Sequence, residues 1–326
     1  MSALDFAIRA LRDPQRSAPA AWRRQIEIFP DSIPRPIGTL FAVNGACPLA
    51  CIYCGLYREM TDRPATGGEI ASQIEAARRA MPDVTGLKIY NASSLFEPAS
   101  IRQTDDDMAA IAASLEGLDF VVVEARAENA SRARQLAARI SGRLEVAIGL
   151  EVADDRILAL LNKPTTVARF RHAAEALAQA GISLRSFVLV GPPFVPAARI
   201  RPLALKTFSF ARDCGSRVVS FLPVRASHAP MRRLAGRGFF SPPPLSAFFD
   251  VVAASVDRGP VVLAETDGLA ELPACPNCRG AIGESLRSLN ELGVLPPVSC
   301  AAHQPPVAHT PPPPIETIDA AAEALA

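Results

Sequence analysis

From residue 40 to residue 222 the chain alternates short apolar runs with longer stretches whose apolar residues recur every three or four positions. A run of four to eight apolar residues fits a strand buried on both faces; the wider spacing fits a helix with one buried stripe. Leu40–Val43, Leu87–Tyr90, Phe120–Val123, Leu144–Leu150, Ile182–Val190 and Arg217–Leu222 read as strands. Between them, Gly68–Ala80 carries Ile70, Ile74 and Ala77 at helical spacing, and Ile101–Leu115 carries Met108, Ile111 and Leu115 on one face. Ala130–Ile140, Val167–Ala180 closed by Gly181, and Leu203–Cys214 followed by Gly215 complete the helices. Strands alternating with helices imply right-handed βαβ units and a parallel sheet. Six strands are too few for a closed eight-fold barrel. The expected fold class is therefore α/β, a partial (β/α)6 TIM-like barrel of parallel strands.

The rhythm does not cover the whole chain. Residues 1–35, with prolines at 14, 19, 30 and 34, read as an irregular or partly helical lead-in. Past residue 225 come Ser241–Pro244, a helix over Leu245–Val256, a strand-like Val261–Leu263 and a cysteine-bearing segment, 273–303. The organisation expected is a lead-in 1–35, a core 36–225, a C-terminal metal-binding extension 226–303 and a proline-rich, extended tail 304–326. A length of 326 residues allows two domains, or one α/β barrel with additions. With 49% hydrophobic and 21% charged residues the chain is not wholly disordered.

Charge and targeting narrow the classes further. Thirty-four Lys+Arg against 33 Asp+Glu leave +1, which disfavours a large electropositive face and strong nonspecific nucleic-acid binding. No apolar run approaches the ~18–20 residues of a membrane span, and the first 24 residues lack the apolar core of a secretory signal. A cytoplasmic location without membrane contact is expected. In a reducing compartment the seven cysteines are thiols, metal ligands or catalysts sooner than disulfides.

Cys47, Cys51 and Cys54 follow the first strand with C-x3-C-x2-C spacing. Three thiolates this close can wrap one corner of a small cluster. Tetrahedral zinc would want a fourth ligand, and none follows locally. A 4Fe–4S cube can take three cysteines and leave one iron open, which is useful only if something else binds there. The run, with Tyr53 just before the last cysteine, resembles the cluster loop of the radical S-adenosylmethionine (radical SAM) superfamily. The resemblance spans residues 36–225. Leu87–Pro98, Val123–Asn129, Glu145–Asp155 and Ser186–Pro193 bring it nearest to the elongator-subunit-like branch and its archaeosine synthase group.

That resemblance implies an enzyme with a 4Fe–4S cluster on Cys47, Cys51 and Cys54. The cluster would cleave S-adenosyl-L-methionine reductively and pass a 5′-deoxyadenosyl radical to substrate. It also implies a cofactor pocket containing Tyr53, the turn at Ser93 and Ser94, Glu124, Arg126, Glu151 and the strand end at Val190. A one-electron reductant such as flavodoxin or ferredoxin is implied as partner. The chain departs from the branch where Ala127 stands in place of the proline of Glu-x-Arg-Pro-Glu, and where Gly191 replaces a lysine before Pro192. With the balanced charge, this favours a small-molecule or peptide substrate; a transfer-RNA-modifying enzyme is the alternative. A non-catalytic Fe–S or zinc protein is the alternative from another class.

A second set of thiols lies beyond the core. Cys275 and Cys278 form a C-x2-C hook, and Cys300 with His303 forms another. Such paired hooks suit zinc, and an auxiliary iron–sulfur cluster suits them too. The intervening Ala281–Leu292 reads as a helix with Leu286, Leu289 and Leu292 inward, folding Cys300 back onto the pair.

Overall fold

A computed structural model describes residues 2–12, 20–300, 315 and 317–325. Its centre is one eight-stranded sheet whose spatial order is the order of the chain. The strands are β1 (Ala21–Ile28), β2 (Pro34–Ala42), β3 (Gly86–Asn91), β4 (Phe120–Ala125), β5 (Arg143–Glu151), β6 (Ser183–Val190), β7 (Val218–Pro223) and β8 (Val261–Ala264). β1 and β2 are antiparallel; every later neighbour is parallel. The expected six-stranded parallel core is present and carries one further strand on each edge.

The two edge strands are what the expected core lacked, whereas a partly helical lead-in was expected. The lead-in holds a helix, α1 (Ala3–Leu11), and the antiparallel edge strand β1. β1 escapes a hydrophobicity reading because its sequence, Ala-Trp-Arg-Arg-Gln-Ile-Glu-Ile, carries charges on both faces. β8 belongs to the sheet, beside β7, and not to a separate extension.

The helices cover the outer face. α2 (Gly67–Ala80) and α3 (Asp105–Ser114) start at capping boxes, Thr66 with Glu69 and Thr104 with Asp107, which satisfy otherwise orphaned N–H groups. Thr104 therefore starts α3 four residues later than the apolar pattern suggests. The expected helix at Ala130–Ile140 is a 3-10 turn over Ala127–Arg132 and a short α4 (Ala133–Ala137). α5 (Asp155–Leu160), α6 (Val167–Gln179), α7 (Ala197–Asp213), α8 (Ala229–Gly236) and α9 (Leu245–Ala253) follow in order.

α10 (Pro276–Leu292) closes the half-barrel by packing against both edge strands, β1 and β8. Asn290 donates to Ala264 O and accepts from Ala264 N, so it occupies hydrogen-bonding groups of the β8 edge. Leu286 and Leu289 are buried as expected; Leu292 is 58% exposed and is not an inner residue. The helix ends there because Gly293 takes a left-handed conformation. Part of the tail is helical too. α11 (Ile318–Glu323), capped by Thr317, packs on α1 and buries Ala321 and Ala322. Among the described residues no helix is long and apolar enough to cross a membrane.

Candidate functional site

The C-terminal ends of the parallel strands carry the first cysteine loop. Residues 46–55 leave β2 and are fixed by backbone hydrogen bonds from several elements. Arg9 donates to Pro48 O, Asn162 Nδ2 to Ala50 O, and Ile52 N–H to Leu161 O. Burial pushes the Cys51 thiol up to about 11, against the pull of Lys163, and burial with the neighbouring Cys51 pushes the Cys54 thiol up to about 12. Thiols raised as Cys51 and Cys54 are become thiolates when a cation joins them. The loop therefore fits a metal cluster.

Glu151 ends β5 beside this loop. It is buried and has φ of 62°, an uncommon conformation for a residue other than glycine. The register between β5 and β6 slips between Gly149 and Glu151. This bulge re-aims the carboxylate, whose Oε1 accepts Lys163 Nζ at 2.7 Å. A Cβ at Gly149 would stand 2.1 Å from that oxygen and 2.8 Å from Lys163 Nζ, so the arrangement needs glycine there. Tyr53 also hydrogen-bonds with Glu151, and Lys163 acts electrostatically on Cys51. Cys51, Tyr53, Glu151 and Lys163 thus form one polar cluster. Lys163 is absent from the sequence expectations; its one signal was being one of three lysines in an arginine-rich chain.

No family model matches the chain. Over 154 residues it is 25% identical to archaeosine synthase subunit beta of Thermococcus kodakarensis, covering 45% of this chain and 48% of that protein. The chain spans about half the length of this curated relative. A structure of Methanocaldococcus infernus Elp3 with an N-terminal deletion gives a TM-score of 0.49 at 14% identity, covering 66% of this chain and 57% of that one. A radical SAM methyltransferase from Sphaerobacter thermophilus gives a TM-score of 0.50 at 18% identity, covering 74% of this chain and 68% of that one. The fold is that of the radical SAM enzymes.

Other strand-end residues in this radical SAM fold differ in what they leave free. Glu124, at the end of β4, accepts Asn91 N–H at 2.8 Å. Burial raises its pKa to about 7, with Glu151 adding to the effect. Ser93 has φ of 90° and a buried hydroxyl without a partner among the described residues. Ser94 is different: its hydroxyl donates to Asn129 and accepts Phe96 N–H, and its carbonyl accepts Glu97 N–H. Arg126 is ion-paired with Glu97 and keeps a buried, unpartnered Nε. The Val190 carbonyl accepts Val224 N–H, which occupies the strand-end acceptor expected to face a cofactor.

His228, just before α8, is a second residue missing from the sequence expectations. It is fully buried, and neither ring nitrogen makes a hydrogen bond of good geometry among the described residues. A Cβ on Gly55 would lie 3.2 Å from its Cδ2, and its ring meets Tyr57 edge to face at 5.9 Å. Burial lowers its pKa to about 4, so it is neutral near pH 7, with one donor and one acceptor nitrogen.

The second set of thiols converges as expected. Cys275, Cys278 and Cys300 place their sulfurs within 4.8 Å of one another, with Cys275 and Cys300 at 3.9 Å. Cys278 lies in the first turn of α10, and Ser285 of the same helix donates to Pro296 O, holding the returning chain. A tetrahedral zinc with Zn–S bonds of ~2.3 Å sets sulfurs ~3.8 Å apart. The cysteines of an iron–sulfur cube stand farther apart, at roughly 6–7 Å. The trio could hold a single zinc ion. His303, the expected fourth ligand, lies outside the described residues.

Proposed function

We propose that this chain is a radical SAM enzyme acting on a small-molecule or peptide substrate. The observation that carries the reading is the trio of crowded thiols, Cys47, Cys51 and Cys54, beside the Glu151–Lys163 pair at the strand ends of a radical SAM fold. When bound, a reduced 4Fe–4S cluster and SAM supply a radical that removes a hydrogen atom from substrate. The chain's own work is holding and orienting. Cys47, Cys51 and Cys54 would hold the cluster through their thiolates. Glu151, held in place by Lys163, would orient SAM through its ribose hydroxyls or ammonium group. His228 offers an unused donor and acceptor beside Gly55. The buried lining of the strand ends keeps water from the reacting atoms.

Anaerobically reconstituted protein, given SAM and a one-electron reductant, should form 5′-deoxyadenosine. A protein carrying a full cluster that leaves SAM intact would overturn the reading. Glu151→Gln should weaken SAM binding by about 10- to 150-fold, the worth of one charge-assisted contact of ~1.5–3 kcal/mol, with the cluster still assembled. Unchanged SAM affinity in that variant would return Glu151 to a purely structural role.

A second reading, modification of transfer RNA, is favoured by the similarity to archaeosine synthase subunit beta. It predicts RNA binding that weakens steeply with salt.

For the C-terminal thiols we propose a structural zinc. Purified protein should contain one zinc per chain. Replacing Cys275, Cys278 and Cys300 by Ser should remove it without removing the iron of the first loop. Iron beyond four per chain, lost in that same variant, would assign the trio to an auxiliary cluster instead.

A further inference from the structure

The concave side of the sheet contains a cavity of about 200 Å³ between the β1 and β8 edges, bordered by the C-terminal half of α10. Its wall is ionic to an unusual degree for a barrel interior. Arg185 donates to Glu145 at 2.6 Å and to Glu27 at 2.8 Å, and Lys88 donates to the other Glu27 oxygen. All four side chains are almost completely buried. Apolar side chains would fill this space at lower cost, because desolvating charges often outweighs their mutual attraction.

The charges around the cavity cancel in number but not in contact: Arg23, Lys88, Arg185, Arg225 and Arg287 stand against Glu27, Glu145, Glu265, Asp267 and Glu291. Lys88 and Arg185 are matched by Glu27 and Glu145, and Arg23 by Asp267. Arg287 and Glu291 are both exposed on one face of α10, four residues apart, and offset each other. Glu265, immediately after β8, lines the cavity without an ion pair, and Arg225 acts on it only at longer range. It accepts Asp267 N–H at 2.7 Å, and among the described residues no cation lies within ion-pair distance of it. Its burial outweighs the more distant Arg23, Arg225 and Lys88 and raises its pKa, as expected of a carboxylate without a counter-ion. Across the cavity, Tyr90 and Phe187 meet edge to face at 5.8 Å and supply a flat apolar surface.

We propose that Glu265 recognises a protonated amine on a compact substrate whose apolar body lies against Tyr90 and Phe187. A cavity-lining carboxylate without an ion pair selects a cation and repels a phosphodiester. The volume suits a ligand of one ring, since a cavity of ~150 Å³ admits benzene. That the ligand is a substrate rests on the radical SAM reading; the charge preference of the cavity does not.

Benzylammonium, benzyl alcohol and benzoate share one ring and differ in charge. Titrated into the full-length wild-type chain and followed by ligand-observed NMR, benzylammonium should bind at least ~10-fold more tightly than either of the others. Glu265→Gln should erase that preference. Equal binding of the three probes, a preference for benzoate, or an ammonium preference that survives Glu265→Gln would each overturn the proposal. The wild-type comparison needs no variant, so it decides the charge preference even if Glu265→Gln does not fold. Failure of the wild-type chain to cleave SAM would sink the radical SAM reading and leave the amine preference standing.

Discussion

Replacing Cys47, Cys51 and Cys54 together by Ala should abolish SAM cleavage, with 5′-deoxyadenosine falling to the level of a reaction without protein. On the proposed radical SAM reading no other residue can compensate, because the cluster these thiols would hold supplies the electron for SAM cleavage. The fold should survive, since the loop stays anchored by Arg9, Asn162 and Leu161 through backbone groups the substitutions do not touch. Measurements of iron content, the SAM-responsive signal of the reduced cluster, and circular dichroism check the three parts separately. A signal that persists in the triple variant would remove the cluster from this loop.

Arg185→Met should cause the largest loss of stability among single substitutions in the barrel interior. It leaves Glu145 without a contacting cation and Glu27 with Lys88 alone. Breaking a buried pair from one side costs ~3–5 kcal/mol. At ~2 °C per kcal/mol for a chain of this size, Tm should fall by about 6–10 °C. The pH dependence identifies the cause. Burial already raises the pKa of Glu145 despite Arg185, and without the guanidinium it rises further. An acid whose folded pKa exceeds its unfolded value destabilises fully above the folded pKa, and the penalty shrinks as pH falls from there toward the unfolded pKa. The Tm gap between variant and wild type should therefore narrow as pH falls from about 8 to about 5. A gap that is constant over that range would point to lost packing instead. Adding Glu145→Gln to Arg185→Met should restore part of the loss at neutral pH.

The parallel core was legible because strands buried on both faces cannot hide their composition, and Phe120–Val123 and Leu144–Leu150 are nearly unbroken apolar runs. β1 was not legible, because its inward positions hold Arg23, Gln25 and Glu27. Their justification lies far away: Lys88 is 61 residues from Glu27 and Arg185 is 158. The first cysteine loop could be read because its three thiols share eight residues. Lys163 and His228 could not, since each sits in an irregular segment whose meaning comes from what the fold brings beside it. The C-terminal trio stood between these cases. Its spacing pointed to a metal, and only the sulfur separations distinguish a single ion from a cube.

Because the sheet order follows the chain order, each parallel strand can dock on the one made just before it, and the sheet can grow as the polypeptide leaves the ribosome. α10 breaks this pattern. It is the penultimate described helix, yet it packs on the first strand, β1, as well as on β8. That contact closes a loop of roughly 250 residues and cannot form until nearly all the chain has been synthesised. Until then Glu27 has Lys88 and Arg185 within reach, but the cavity beside Glu265 has no wall at α10. Assembly of the binding chamber is therefore a late event in the life of the nascent chain. The zinc-compatible thiols at the start of α10 lie where a metal can time it.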